Sequence, residues 1–154
     1  MNEQQMKTIF KTCDKDTSGY LDKKEFSEAL IHLFNLEDKQ EEYQELFQDV
    51  FLLADGYGFF DRKDGKLSFK EFKTVCSYIP LDISNKRKAL CTIIFNLADK
   101  NKSGRLTKKE FSEFLQKTGV DLKNDDLDYL IKGLDSDDNN KITLDEFIQI
   151  YNFE

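Results

Sequence analysis

The stretch Asp14-Lys15-Asp16-Thr17-Ser18-Gly19-Tyr20-Leu21-Asp22-Lys23-Lys24-Glu25 decides how the rest of the chain is read. It places oxygen-bearing side chains at positions 1, 3, 5, 9 and 12 and a glycine at position 6. The same spacing returns at Asp99–Glu110 and again at Asp135–Glu146, where Asn140 stands in place of the glycine. A disturbed version lies between Asp55 and Glu71. Phe10-Lys11-Thr12-Cys13-Asp14 precedes the first copy and Phe95-Asn96-Leu97-Ala98-Asp99 the third, and both go on to Leu-x-Lys-Lys-Glu-Phe-Ser-Glu, from Leu21 and from Leu106. A repeat of this kind marks a unit built once and then duplicated.

The donors are all oxygen, which suits a hard cation. Ca²⁺ takes six to eight oxygens at roughly 2.3–2.6 Å. Asp, Asn and Ser at alternate positions can turn inward as the chain curls, and position 6 needs a backbone angle that glycine accepts. Asn140 is tolerable there because asparagine enters the left-handed region more readily than most residues. Position 7 uses its main-chain carbonyl, and the glutamate at 12 belongs to the helix that follows. The expected ligands of the first loop are Asp14, Asp16, Ser18, the carbonyl of Tyr20, Asp22 (directly or through water) and Glu25. Those of the third are Asp99, Asn101, Ser103, the carbonyl of Arg105, Thr107 and Glu110. Those of the fourth are Asp135, Asp137, Asn139, the carbonyl of Lys141, Thr143 and Glu146. Three Ca²⁺ ions are expected, with Mg²⁺ as a competitor. Carboxylates number four, two and three in these loops, so the third is expected to bind most weakly.

The second copy reads two ways. Asp55 follows Phe51-Leu52-Leu53-Ala54 and sits where a loop should start, whereas counting twelve back from Glu71 starts it at Phe60. The segment is 17 residues long. One reading makes it a structural partner of the first loop that no longer binds Ca²⁺ well. The other is a rearranged site using Asp55 or Asp61 with Asp64 and Glu71. Apolar residues at position 8, namely Leu21, Leu67, Leu106 and Ile142, are candidates for a short strand-like link between paired loops.

Helical periodicity flanks every loop. Met6, Ile9, Phe10 and Cys13 share a face before the first, and Phe26, Ala29, Leu30 and Leu33 after it. Tyr43, Leu46, Phe47, Val50, Phe51 and Ala54 form an apolar stripe that ends at Asp55, with Asp38 and Glu41 as a possible capping box at its start. Phe72, Val75 and Cys76 follow, and Pro80 ends that helix. Ser84 or Asp82 is a candidate cap for a helix presenting Ala89, Leu90, Ile93, Ile94, Leu97 and Ala98. A helix around Phe111, Phe114 and Leu115 ends at Gly119. Asn124 is a candidate cap for Leu127, Leu130, Ile131 and Leu134, and Phe147, Ile148, Ile150 and Tyr151 close the chain. This gives an all-α fold with an N-terminal pair of units at 1–79, a linker at 80–84 and a C-terminal pair at 85–154.

The arrangement resembles the EF-hand calcium-binding proteins of the calmodulin and troponin C superfamily over nearly the whole chain. That resemblance implies two lobes, each a pair of helix-loop-helix hands, which open on Ca²⁺ loading and expose a groove for an amphipathic target helix. The altered second loop and Pro80 depart from it, so a bent linker is expected. With 14 phenylalanines and two methionines, stiff aromatic pockets and a narrow partner range are expected rather than a promiscuous Met-lined groove.

Other classes are disfavoured. The net charge of −7 offers no basic surface for nucleic acid. The one histidine, His32, and the lack of a nucleophile–base set or phosphate loop argue against an enzyme. Cys13, Cys76 and Cys91 form no CxxC pair and fit buried free thiols in a reducing compartment. No secretory signal or apolar span is legible and residue 2 is Asn, so a cytoplasmic location without a membrane anchor is expected, with the nucleus left open. The expected function is an intracellular Ca²⁺ sensor that binds a partner protein. The alternatives are a Ca²⁺ buffer that changes little in shape and a light-chain-like structural subunit.

Overall fold

A computed structural model of the chain describes residues 2–37, 40–56, 65–135 and 141–151. Helices run in the order α1 (Glu3–Cys13), α2 (Lys23–Phe34), α3 (Gln44–Ala54), α4 (Phe69–Ser77), α5 (Lys86–Ala98), α6 (Lys108–Lys117), α7 (Asn124–Leu134) and α8 (Leu144–Ile148). Single 3₁₀ turns at Gln40–Tyr43 and Gln149–Tyr151 lead into α3 and extend α8. The fold is all-α and, among the described residues, carries two isolated antiparallel bridges, Leu21 to Leu67 and Leu106 to Ile142. Each bridge is closed by a reciprocal pair of main-chain hydrogen bonds, 2.8 and 2.7 Å in the first and 2.7 and 2.9 Å in the second. The position-8 residues therefore do join the loops in pairs, and all four are buried.

Every helix that leaves a loop starts the same way. Asp22, Ser68, Thr107 and Thr143 cap α2, α4, α6 and α8, and the glutamate three residues on returns a hydrogen bond to the cap residue. This reciprocal box satisfies two of the orphan N–H groups at each helix start. At the starts of α5 and α7 the structure differs from the sequence expectations. Asn85, not Ser84 or Asp82, caps α5 by accepting from the Lys88 N–H at 3.1 Å. Asp82 is occupied in its own turn, accepting from the Ser84 N–H at 3.0 Å. Lys123 takes the cap position of α7 without a side-chain bond, which puts Asn124 inside the helix. Tyr43 likewise begins α3 with no side-chain cap, and Asp38 lies outside the described residues. Gly119 closes α6 as expected, with φ +89° and the Val120 N–H donating back to the Leu115 carbonyl at 2.8 Å.

Most of the expected apolar stripes are buried, joined by Phe34, Leu36, Leu53, Cys91 and Phe95, with Ile9, Leu33, Tyr43, Leu130, Leu134, Ile148 and Ile150 half-buried against them. Edge-to-face rings tie paired hands together. Phe10 of α1 meets Phe72 of α4 at 5.7 Å, and Phe95 of α5 meets Phe147 of α8 at the same distance. The two halves share one apolar core. The most extensive helix pairing among the described residues is α3 with α5, across the halves. α4 ends at Ser77 and α5 begins at Lys86, so no single helix joins them. Cys13, Cys76 and Cys91 are buried free thiols, and burial pushes Cys76 and Cys91 up to about 12. His32 is exposed.

Candidate metal centre

In loop one the chain turns at Thr17 and Gly19, both at positive φ (51° and 83°), and every expected ligand is hydrogen-bonded, in two sets: Asp14, Asp16, Ser18 and Tyr20 in one, Asp22 and Glu25 in the other. Ser18 is the hub of the first set. Its N–H donates to Asp14 Oδ1 and to Asp16 Oδ1, each at 3.1 Å, and its hydroxyl lies 3.2 Å from Asp14 Oδ1. The hydroxyl also donates to the Tyr20 carbonyl at 2.9 Å, which keeps that main-chain oxygen beside Ser18. The Gly19 N–H donates to Asp14 Oδ2 at 2.9 Å. Glu25 closes the loop from the helix side, accepting from the Asp22 N–H at 3.0 Å and the Lys15 N–H at 2.9 Å.

Carboxylate oxygens of Asp14, Asp16 and Glu25 lie within 4.8 Å of one another. Two oxygens on opposite sides of a Ca²⁺ are separated by about twice the 2.3–2.6 Å bond, so this spacing fits one ion bound by all three. Asp14 and Glu25 are buried, and hydrogen bonding from Ser18 holds the exposed Asp16 below its ordinary pKa. A pair of buried acids beside an ionised third needs a counter-charge, and a divalent cation answers that need.

Loop three repeats the network without the third acid. Ser103 N–H reaches Asp99 Oδ1 at 3.2 Å and Asn101 Oδ1 at 3.1 Å, and its hydroxyl donates to the Arg105 carbonyl at 2.7 Å. Gly104 N–H donates to Asp99 Oδ2 at 2.9 Å. Glu110 accepts from Thr107 N–H at 3.0 Å and Asn101 N–H at 3.1 Å. In loop four the described ligands sit in the same frame. The Asp135 N–H donates to the Ile131 carbonyl at 2.8 Å, and Glu146 accepts from the Thr143 N–H at 2.9 Å. Lys141 adjoins Ile142 of the loop bridge. Asp137, Asn139 and Asn140 lie outside the described residues.

The register of the second loop is resolved at its ends. Asp55 N–H donates to the Phe51 carbonyl at 2.9 Å, matching Asp14 to Phe10, Asp99 to Phe95 and Asp135 to Ile131. Gly65 N–H donates to Asp55 Oδ2 at 2.9 Å, the bond that Gly19 makes to Asp14. Glu71 accepts from Ser68 N–H at 2.9 Å and Gly56 N–H at 2.6 Å. Asp55 therefore holds position 1 and Glu71 position 12, both buried, and the extra residues fall between them. Phe60 as a start is set aside by this geometry. Phe60 itself lies outside the described residues, as do Asp61 and Asp64.

Sequence reasoning missed one buried polar pair. Asp49 of α3 accepts a 2.6 Å hydrogen bond from the Tyr151 hydroxyl, 102 residues away. Burial raises the Asp49 carboxyl to about 6 against the opposing pull of the Tyr151 hydrogen bond, with Glu45 adding repulsion.

A sequence model described as an EF-hand domain pair matches residues 3–77 and 87–152. The 16 kDa calcium-binding protein of Schistosoma mansoni is 26% identical over 149 residues, covering 95% of this chain and 92% of that protein. Troponin C isoform 1 of Drosophila melanogaster is 31% identical over 87 residues, 56% of this chain and 56% of the relative. Putative calmodulin-like protein 6 of Oryza sativa subsp. japonica is 24% identical over 159 residues, covering 97% and 85%. Among solved structures, calcium-loaded apo-aequorin from Aequorea victoria aligns with 96% of this chain and 86% of its own, at 17% identity and a TM-score of 0.43.

Proposed function

The chain belongs to the EF-hand domain-pair family of calcium-binding proteins, and from that premise we propose that it is an intracellular Ca²⁺ sensor that engages a partner protein on loading through loops one, three and four. The observation that carries Ca²⁺ binding is the convergence of Asp14, Asp16 and Glu25 oxygens within 4.8 Å. Bound Ca²⁺ would supply the charge that lets these carboxylates sit together. The chain's own contribution is to tie that charge to a helix. Glu25, Glu110 and Glu146 lie in the first turns of α2, α6 and α8, so any pull on their carboxylates is a pull on those helices. Phe26, Phe111 and Phe147 follow directly and are fully buried, which carries such a movement into the core.

The partner is an amphipathic helix of another protein, received on apolar surface released from the core. A second reading, a buffer of nearly constant shape, is favoured by the packing of α3 on α5. The helices that would line a groove in each half already cover one another there.

A hydrophobic dye added with Ca²⁺ and with chelator tests the sensor reading. Increased dye emission with Ca²⁺ supports it, and unchanged emission with three ions bound by calorimetry transfers the assignment to the buffer.

A further inference from the structure

We propose that the buried Asp49–Tyr151 hydrogen bond is a clasp that couples cation binding in loop four to cation binding in loop one; this rests on the reading of both loops as Ca²⁺ sites. Tyr151 stands at the end of the segment that leaves loop four, five residues beyond Glu146. Its ring packs edge-on against Phe147, at 5.9 Å, and Phe147 adjoins Glu146. Its carbonyl accepts from Arg87 of α5 at 3.1 Å, and the Arg87 guanidinium lies 5.6 Å from the centre of the Tyr43 ring, so the turn is held to both halves. Its hydroxyl crosses to Asp49 at 2.6 Å, in a site where both residues are buried.

From Asp49 the route continues along α3. Phe51, two residues on, meets Phe26 of α2 at 5.9 Å, and Phe26 adjoins Glu25, the position-12 residue of loop one. The route therefore runs between the two glutamates that anchor loops one and four, through two ring contacts, one hydrogen bond and the short main-chain steps Glu146–Phe147, Asp49–Phe51 and Phe26–Glu25. The Lys102–Tyr78 contact, at 4.2 Å, also crosses the halves but starts from loop three. A buried hydroxyl-to-carboxylate bond suits this role because it has a defined direction and a large cost when broken. Among the described residues, Tyr151 and Asp49 make no hydrogen bond to an expected ligand, so they are positioning residues. Binding coupled through them is reciprocal.

The Gly19 and Gly104 N–H groups donate to Asp14 and Asp99 at 2.9 Å, so their amide resonances report loops one and three separately. The experiment is a Ca²⁺ titration of the full chain followed at these two amides by nuclear magnetic resonance, with Glu146→Gln used to disable loop four. With the clasp intact, Glu146→Gln raises the Ca²⁺ midpoint at Gly19 by about fivefold, the lower end of ordinary site-to-site coupling. In a Tyr151→Phe background, which keeps the ring and removes only the hydroxyl, the shift at Gly19 falls below about twofold. Gly104 still responds there, because the Leu106–Ile142 bridge joins loops three and four directly. Asp49→Leu with Tyr151→Phe removes both partners and leaves no orphaned carboxylate, which covers the case where Tyr151→Phe alone does not fold. An undiminished Gly19 shift in either background overturns the clasp, as does a wild-type chain in which Glu146→Gln moves Gly104 but not Gly19. Amides that ignore Ca²⁺ altogether overturn the calcium reading and the clasp with it.

Discussion

In loop one the Gly19 N–H reaches Asp14 Oδ2 at 2.9 Å, and in loop three the Gly104 N–H reaches Asp99 Oδ2 at the same distance. The serine hubs, their bonds to the Tyr20 and Arg105 carbonyls and the capping bond of each glutamate also correspond, while the second glutamate oxygen accepts from Lys15 N–H in loop one and from Asn101 N–H, one position later, in loop three. What differs otherwise is charge. Loop one places Asp16 and Asp22 where loop three has Asn101 and Thr107. The two loops therefore separate frame from charge within one molecule. The frame comes from turn geometry and helix caps, which neutral residues supply as well as acids. The charge sets how strongly that frame attracts a cation.

The largest test removes the same group from both. Glu25→Gln and Glu110→Gln should each weaken Ca²⁺ binding at their own loop by roughly 100-fold, about 3 kcal/mol. Calorimetric titration reads this, and losses differing by more than about tenfold would break the claim of a shared frame. The comparison also needs one scaffold at every pH used. Asp49, raised by burial to about 6, holds its proton more tightly folded than unfolded. Its contribution to stability is fully present below about pH 4 and is lost as pH rises through 6. Denaturant melts in chelator should therefore show Asp49→Asn gaining on the wild type between pH 4 and 7, by on the order of 2 kcal/mol. A constant difference across that range would contradict the assigned proton.

Charge is sharpened next. Asn101→Asp gives loop three the acid that loop one has and should tighten it by about tenfold, read as the Ca²⁺ midpoint at Gly104. An unchanged midpoint would mean that charge is not the difference. The smallest effect is on stability alone. Gly19 and Gly104 share φ +83°, and a Cβ at either would meet nothing within 4 Å. Alanine should therefore cost only backbone strain, about 1 kcal/mol at each, and thermal melts should show the two costs equal.

Loops one and three were legible because a fixed spacing of oxygens is a linear code, and each copy checks the other. The second loop was half legible. Its ends carried conflicting counts, and only the Asp55 to Phe51 and Gly65 to Asp55 bonds show which end keeps register. Asn85 and Lys123 were missed as cap positions because several neighbours of each could serve and the choice depends on how the preceding turn docks. The α3–α5 seam was also missed, since no local pattern encodes a contact between distant helices. One signal did exist. α5 buries Ala89, Leu90, Cys91, Ile93, Ile94 and Phe95 over most of its circumference, leaving only the Lys88, Thr92 and Asn96 face polar, and a helix with so wide an apolar face is one that packs on more than one neighbour. Asp49 broke the pattern of α3 without announcing a partner, because Tyr151 reads as an ordinary amphipathic end.

The reciprocal caps at Asp22, Ser68, Thr107 and Thr143 bear on the order in which the molecule assembles. Starting a helix is its least favourable step, since several residues must be fixed before hydrogen bonding compensates. Here each helix after a loop carries its own start signal within four consecutive residues, and the glutamate of that signal is also the last residue of the loop. A nascent hand can thus nucleate its second helix locally, before any distant contact has formed. The anchoring glutamate is already in place when the rest of the loop closes on it.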